Sequence, residues 1–203
     1  MINPFDIHEQ KRVLSQAEKG VLPEDFDQWW LPGRRKLAFA TFAYGKGPGP
    51  QFKEWDLTDE QGRTMAHCAA LHDKIPTGFD QWAMADQGGW TVAHEYAYRH
   101  VLPADFPHWD LTDSRGQSVA YIAALKGTLP AGFDRWGIRT PEGATVAHTA
   151  ACMQDLPADF DQWDLEDADG RTVREVFDKF LVFPEEPIAN ATPTSIPPRG
   201  PKI

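Results

Sequence analysis

Tryptophan recurs along this chain at a fixed interval. Trp55, Trp82, Trp109, Trp136 and Trp163 are spaced 27 residues apart, and Trp29 precedes Trp55 by 26. Three residues before each stands a phenylalanine: Phe26, Phe52, Phe79, Phe106, Phe133 and Phe160. Seven residues after the last five come Gly62, Gly89, Gly116, Gly143 and Gly170, and nine after come Thr64, Thr91, Ser118, Thr145 and Thr172. The clearest copies read "LPADFPHW" at 102–109 and "LPADFDQW" at 156–163. A constant period of this length implies an array of like units, none able to bury its own apolar face, with stacking supplying the core.

One unit reads as follows. In "DEQGRT" (59–64) an Asp opens a turn, a Gly accepts the backbone angle that other residues resist, and a Thr caps the helix that follows. That helix runs through "MAHCAALH", "VAHEYAYR", "VAYIAALK" or "VAHTAACM", where alanines permit a close neighbour. Leu-Pro then predicts an extended residue followed by a helix start. "PADFDQW" is long enough for two helical turns, with Phe and Trp at i, i+3 on one inward face.

The expected fold is therefore all-α, a repeat solenoid of helix–turn–short helix units. Residues 1–28 form an N-terminal cap with a polar amphipathic helix over 9–20, and 29–183 form the solenoid. Within it the unit 30–55 is degenerate, regular repeats start at 55, 82, 109 and 136, and a cap helix spans 171–183. From 184 to 203 the chain has six prolines and almost no large apolar residues, which predicts a disordered tail whose "SIPPRGP" has polyproline character.

Thirty acidic against twenty basic residues give a net charge of −10. That field disfavours direct contact with nucleic acid or anionic membranes, and the densest basic cluster is only Arg34, Arg35 and Lys36. A protein partner is expected instead, and the charge suits a basic or nucleic-acid-binding one. Cys68 and Cys152 read as small buried apolar groups. The first residues lack a signal-peptide core and no run approaches a membrane span, so a cytoplasmic setting is expected.

At "DEQGRTMAHCAALHDK" and "DQGGWTVAHEYAYRH" the chain resembles an ankyrin repeat. Asp59, Gly62, Thr64, His67, Ala69 and Ala70 follow that family's order of turn Asp, Gly, Thr, helix His and paired alanines. Asp86, Gly89, Thr91, His94 and Ala97 largely repeat it, as do Asp113, Gly116, Ser118, Ala123 and Ala124. The unit departs from the family in its period of 27 rather than 33, in Met-Ala or Val-Ala for Pro-Leu, and in its short second segment. The resemblance implies a protein-binding array without a catalytic centre, binding through turn tips and the exposed side of the first helix. Carried over by position, its candidate contacts include Arg63 and His72, then Gln87, Trp90, Tyr98 and Arg99, then Arg115, Gln117 and Lys126.

Trp90 stands out on the residues alone. Its equivalents are Arg63, Gln117, Ala144 and Arg171, so it lies outside the periodic aromatic set. With Tyr98 and Arg99 it forms the aromatic-plus-arginine combination favoured at binding hot spots. The recurring histidines His67, His94 and His148 sit one per unit. Stacked helices lie roughly 8–10 Å apart, and zinc ligands lie about 2.0–2.1 Å from the metal. A role bonding neighbouring turns is therefore expected, with no metal and no cofactor. "AYGKGPGP" (43–50) lacks the Gly-Lys-Ser/Thr ending of a phosphate loop and reads as a plain loop. No off-period Ser-His-Asp or Cys-His set suggests an enzyme.

The expected function is a non-enzymatic protein-binding module acting by scaffolding or occlusion. The second class is an acidic inhibitor, of the kind a phage would encode against a host defence enzyme, filling a groove built for nucleic acid. Only charge and size point there.

Overall fold

The computed structural model describes residues 7–21, 34–45, 47, 52–59 and 62–180. They hold seven α-helices: α1 (Ile7–Glu18), α2 (Arg34–Tyr44), α3 (Met65–Leu71), α4 (Val92–Arg99), α5 (Val119–Lys126), α6 (Val146–Cys152) and α7 (Val173–Phe180). No strand occurs among the described residues, only isolated antiparallel bridges such as Ala85–Thr91 and Thr112–Ser118, one per unit. Each helix packs against the helix before it and the helix after it. The all-α expectation holds. The first Leu-Pro, Trp29 and the whole 184–203 tail lie outside the described residues, as does half of the 43–50 loop.

The helix starts form for the reason their sequence suggests. Thr64, Thr91, Ser118 and Thr145 each turn a side-chain oxygen to the backbone N–H three residues on. The turns before α3, α4, α5 and α7 are each closed by an Asp side chain. Asp113 Oδ1, for example, accepts from the N–H groups of Arg115 and Gln117, both at 2.9 Å. Gly89, at φ 76°, supplies the left-handed residue this turn needs.

The second helix of the unit does not form. In its place the chain makes two successive turns, seen where the Phe106 N–H bonds the Pro103 carbonyl (3.0 Å) and the Leu111 N–H bonds the His108 carbonyl (3.2 Å). The cause lies in the next helix, whose first amides have no partner within it. The Val119 N–H takes the Leu111 carbonyl at 2.9 Å, and the Ala120 N–H takes the Trp109 carbonyl at 3.0 Å. The same pair recurs as Val92–Met84 and Ala93–Trp82, Val146–Ile138 and Ala147–Trp136, and Val173–Leu165 and Arg174–Trp163. Those carbonyls must face sideways, so the segment cannot coil on itself.

The turns line up the aromatic rings instead. Trp55, Phe79, Trp82, Phe106, Trp109, Phe133, Trp136, Phe160 and Trp163 form one edge-to-face series, with successive centroids 5.0–5.6 Å apart. The interplanar angles run from 73° to 88°. Edge-to-face pairs match the positive ring edge to the negative ring face and add about 0.5–1.5 kcal/mol each beyond burial. Phe52 extends the series at one end (5.0 Å from Trp55), and Phe177 of α7 closes it at the other (5.3 Å from Trp163). Beneath it lie Ala93, Ala97, Ala120, Ala123, Ala147 and Ala150, whose small side chains let adjacent helices approach.

Histidine pins the units together. His94 Nε2 lies 2.9 Å from the Gln117 carbonyl of the next turn, and its Nδ1 lies 2.6 Å from Thr91 Oγ1. A carbonyl can only accept, so Nε2 carries the proton and Nδ1 takes the Thr hydroxyl's. His67 makes the same pair of contacts with the Trp90 carbonyl (2.8 Å) and Thr64, and His148 with the Arg171 carbonyl (2.9 Å) and Thr145. With both ring nitrogens occupied, these histidines have no lone pair for a metal. The cysteines differ from expectation. Cys68 is buried, but Cys152 is exposed, because it falls on the outward side of α6's last turn.

Candidate functional site

Helix α4 is capped by Thr91, and Trp90, in the turn before it, lies beside its outward face. The Trp90 ring sits 5.1 Å from that of His94 and 6.2 Å from that of Tyr98, which are four residues apart on the helix. Trp90 is half-buried rather than projecting, and its Nε1–H donates to Glu95 Oε2 at 3.1 Å. Glu95 also accepts from Arg99 Nε at 3.3 Å. One carboxylate thus fixes the Trp and the Arg.

The next unit completes the surface. Lys126, at the end of α5, places its ammonium 4.1 Å from the Tyr98 ring centroid, and the Arg99 guanidinium lies 5.6 Å from the same ring. Cations over an aromatic face gain about 0.5–1 kcal/mol when exposed. The Lys126 ammonium also favours the phenolate and holds the Tyr98 hydroxyl below its usual 10. Tyr98 is 39% exposed and Leu125, its counterpart one period on, 37%. Two ring systems, two cations and an apolar neighbour therefore meet on one outward face.

The other residues singled out by position fall around this cluster. Gln87 is exposed at a turn tip, its side chain lying across Gly62 of the preceding turn, where a Cβ would collide with it. Arg63 is held by Asp59 at 2.8 Å. His72 caps the end of α3; burial and the charges of Lys74 and Arg99 keep it below its usual 6.5. Gln117 is half-buried, its carbonyl taken by His94, and Arg115 is exposed at the 113–116 turn. The structure joins Trp90, Tyr98, Arg99 and Lys126 directly and leaves the rest as flanking groups.

Glu95 is the residue the sequence reading missed. Its Glu–Arg spacing of i, i+4 to Arg99 was the available signal. Among the described residues no group of three His, Cys, Asp or Glu side chains is placed to hold a metal, and no helix is long and apolar enough to cross a membrane. No family model matches this chain, and a search of curated proteins found no match.

Proposed function

We propose that the chain is an ankyrin-like repeat solenoid acting as a non-enzymatic protein-binding module, by scaffolding or occlusion. It recognises its partner through the turn and first-helix face centred on Trp90, Tyr98, Arg99 and Lys126. The observation that carries this reading is Trp90 itself. Among the described residues, every periodic tryptophan is used in the aromatic series, whereas Trp90 lies outside it, held on the opposite side of the unit by Glu95. A rigid aromatic already fixed in place loses little conformational freedom on binding. The repeated stacking of helix on helix supports the solenoid reading, and the turn, cap and histidine geometry supports the likeness to ankyrin repeats.

The test is capture of a partner from host lysate by the wild-type protein and by Trp90→Ala/Arg99→Glu, at low and high salt. The double variant should retain at least about 30-fold less partner, as removal of a hot-spot pair implies. Equal capture by both proteins places binding elsewhere. Capture that survives the variant but collapses in high salt supports the acidic-inhibitor class.

A further inference from the structure

Among α3 to α6, one helix departs from the alanine pattern. Ala69, Ala123 and Ala150 are fully buried, but the same position in α4 is Tyr96. Its ring packs 5.7 Å from Trp82, and its hydroxyl donates to Asp73 Oδ1 at 2.6 Å. Tyr96 forms one wall of a cleft of about 370 Å³ between two consecutive Leu-Pro-type turns, lined also by Pro76, Phe79, Trp82, Pro103, Asp105 and Phe106. Only half-buried here, Phe79 and Trp82 contrast with the buried Phe106–Trp109 and Phe133–Trp136 pairs. The aromatic series is open to solvent at this point, on the side of the unit away from Trp90.

We propose that this cleft receives the chain's own proline-rich segment, residues 193–201. Three observations select that occupant. First, aromatic and proline walls are the surface on which a polyproline ridge packs, and the segment carries Pro193, Pro197, Pro198 and Pro201. Second, Arg199 and Lys202 flank those prolines, while the cleft presents Asp105 and the exposed Asp80 follows Phe79. Third, the length fits. Three units at roughly 10 Å each separate Phe180 from the cleft, and residues 181–196 in polyproline geometry, at about 3.1 Å per residue, reach roughly 50 Å.

The experiment uses the full chain with Cys152→Ser and Gly200→Cys, carrying a nitroxide at position 200. The readout is paramagnetic broadening of the tryptophan indole N–H signals. At low protein concentration the Trp82 indole should lose most of its intensity, while Trp163, in the last unit, loses little. Asp105→Lys, at an exposed position, should at least halve the Trp82 effect. Tyr96→Ala, which removes one aromatic wall of the cleft, should also weaken it. Trp82 broadened no more than Trp163 overturns the proposal, as does broadening that Asp105→Lys leaves unchanged. Broadening that appears only on raising the concentration puts the segment on a second copy and overturns the intramolecular form.

Discussion

The junction between α4 and α5 and the junction between α5 and α6 follow one template and differ at a few positions. At the first, His94 reaches the next turn's carbonyl, and Asp113 closes that turn by accepting two backbone N–H groups. At the second, Tyr121 stands where the histidine would be, and Thr140 stands for the aspartate. Thr140 Oγ1 is buried without a hydrogen-bond partner. Yet the aromatic series crosses both junctions without a break: Trp82 to Phe106 at 5.2 Å and Trp109 to Phe133 at 5.1 Å. Ring packing and polar pinning are therefore separable, and the second junction stands on packing alone.

The largest test of that separation is Trp109→Ala. The side chain is fully buried at the unpinned junction, and its loss should cost about 3–5 kcal/mol in urea denaturation. Trp82→Ala, half-buried and backed by a histidine pin, should cost less. A reversed order would mean that the pins, not the rings, hold the units.

Next in size is His94→Ala, which strands the Gln117 carbonyl and the Thr91 hydroxyl and should cost about 1–3 kcal/mol. Tyr121→Phe should cost close to nothing by comparison. The converse change, Tyr121→His, should add about 0.5–1.5 kcal/mol, since Ser118 already waits at the cap position. Slower amide exchange in α6 would report the new pin.

A pH series sharpens the contrast further. Burial lowers the His94 value below its ordinary 6.5 in the folded chain. The unfolded chain therefore takes the proton first as pH falls. The stability due to the neutral ring is complete above about pH 6.5 and is lost progressively below it. The urea midpoint should drop as the pH falls below about 6.5. The drop attributable to this group should vanish in His94→Ala.

A modest gain belongs to Thr140→Asp. It replaces an unpartnered hydroxyl with the acceptor used at Asp113 and Asp167, and a gain of about 1 kcal/mol is expected. No change in the urea midpoint would mean that Pro141 and Gly143 already hold the turn.

The rules of the unit were legible in the sequence, and its exceptions were not. Thr and Ser caps, turn aspartates and the Phe–Trp columns each repeat, so their chemistry could be inferred from recurrence. The mistaken short helix came from a spacing that fits two structures. Phe and Trp at i, i+3 meet on a helix face and also across successive turns. What decides between them is the demand of the next helix's first amides, more than ten residues downstream. Of the binding face, Trp90, Tyr98, Arg99 and Lys126 were found by position. Glu95 escaped because its neighbours in the column, Cys68, Ile122 and Thr149, share no chemistry with it. Tyr96 escaped for the same reason: it lines a cleft at a position where α3, α5 and α6 carry alanine.

The histidine pins have a consequence for how such a chain can change length. Each pin joins a donor in one unit to a carbonyl exactly one turn onward, and α7 needs none, because Glu175 caps it locally through the Thr172 N–H at 2.8 Å. Excising residues 118–144 would join Gln117 to Thr145 with the period intact. His94 would keep its Gln117 acceptor, His148 would keep Arg171, and Trp109 would meet Phe160 in place of Phe133. Every boundary from α3 onward in the shortened array would be pinned. Gain or loss of 27 codons at a time is thus an edit this architecture absorbs with its pins in register, whereas a single-residue shift inside a pin's span would unseat that pin.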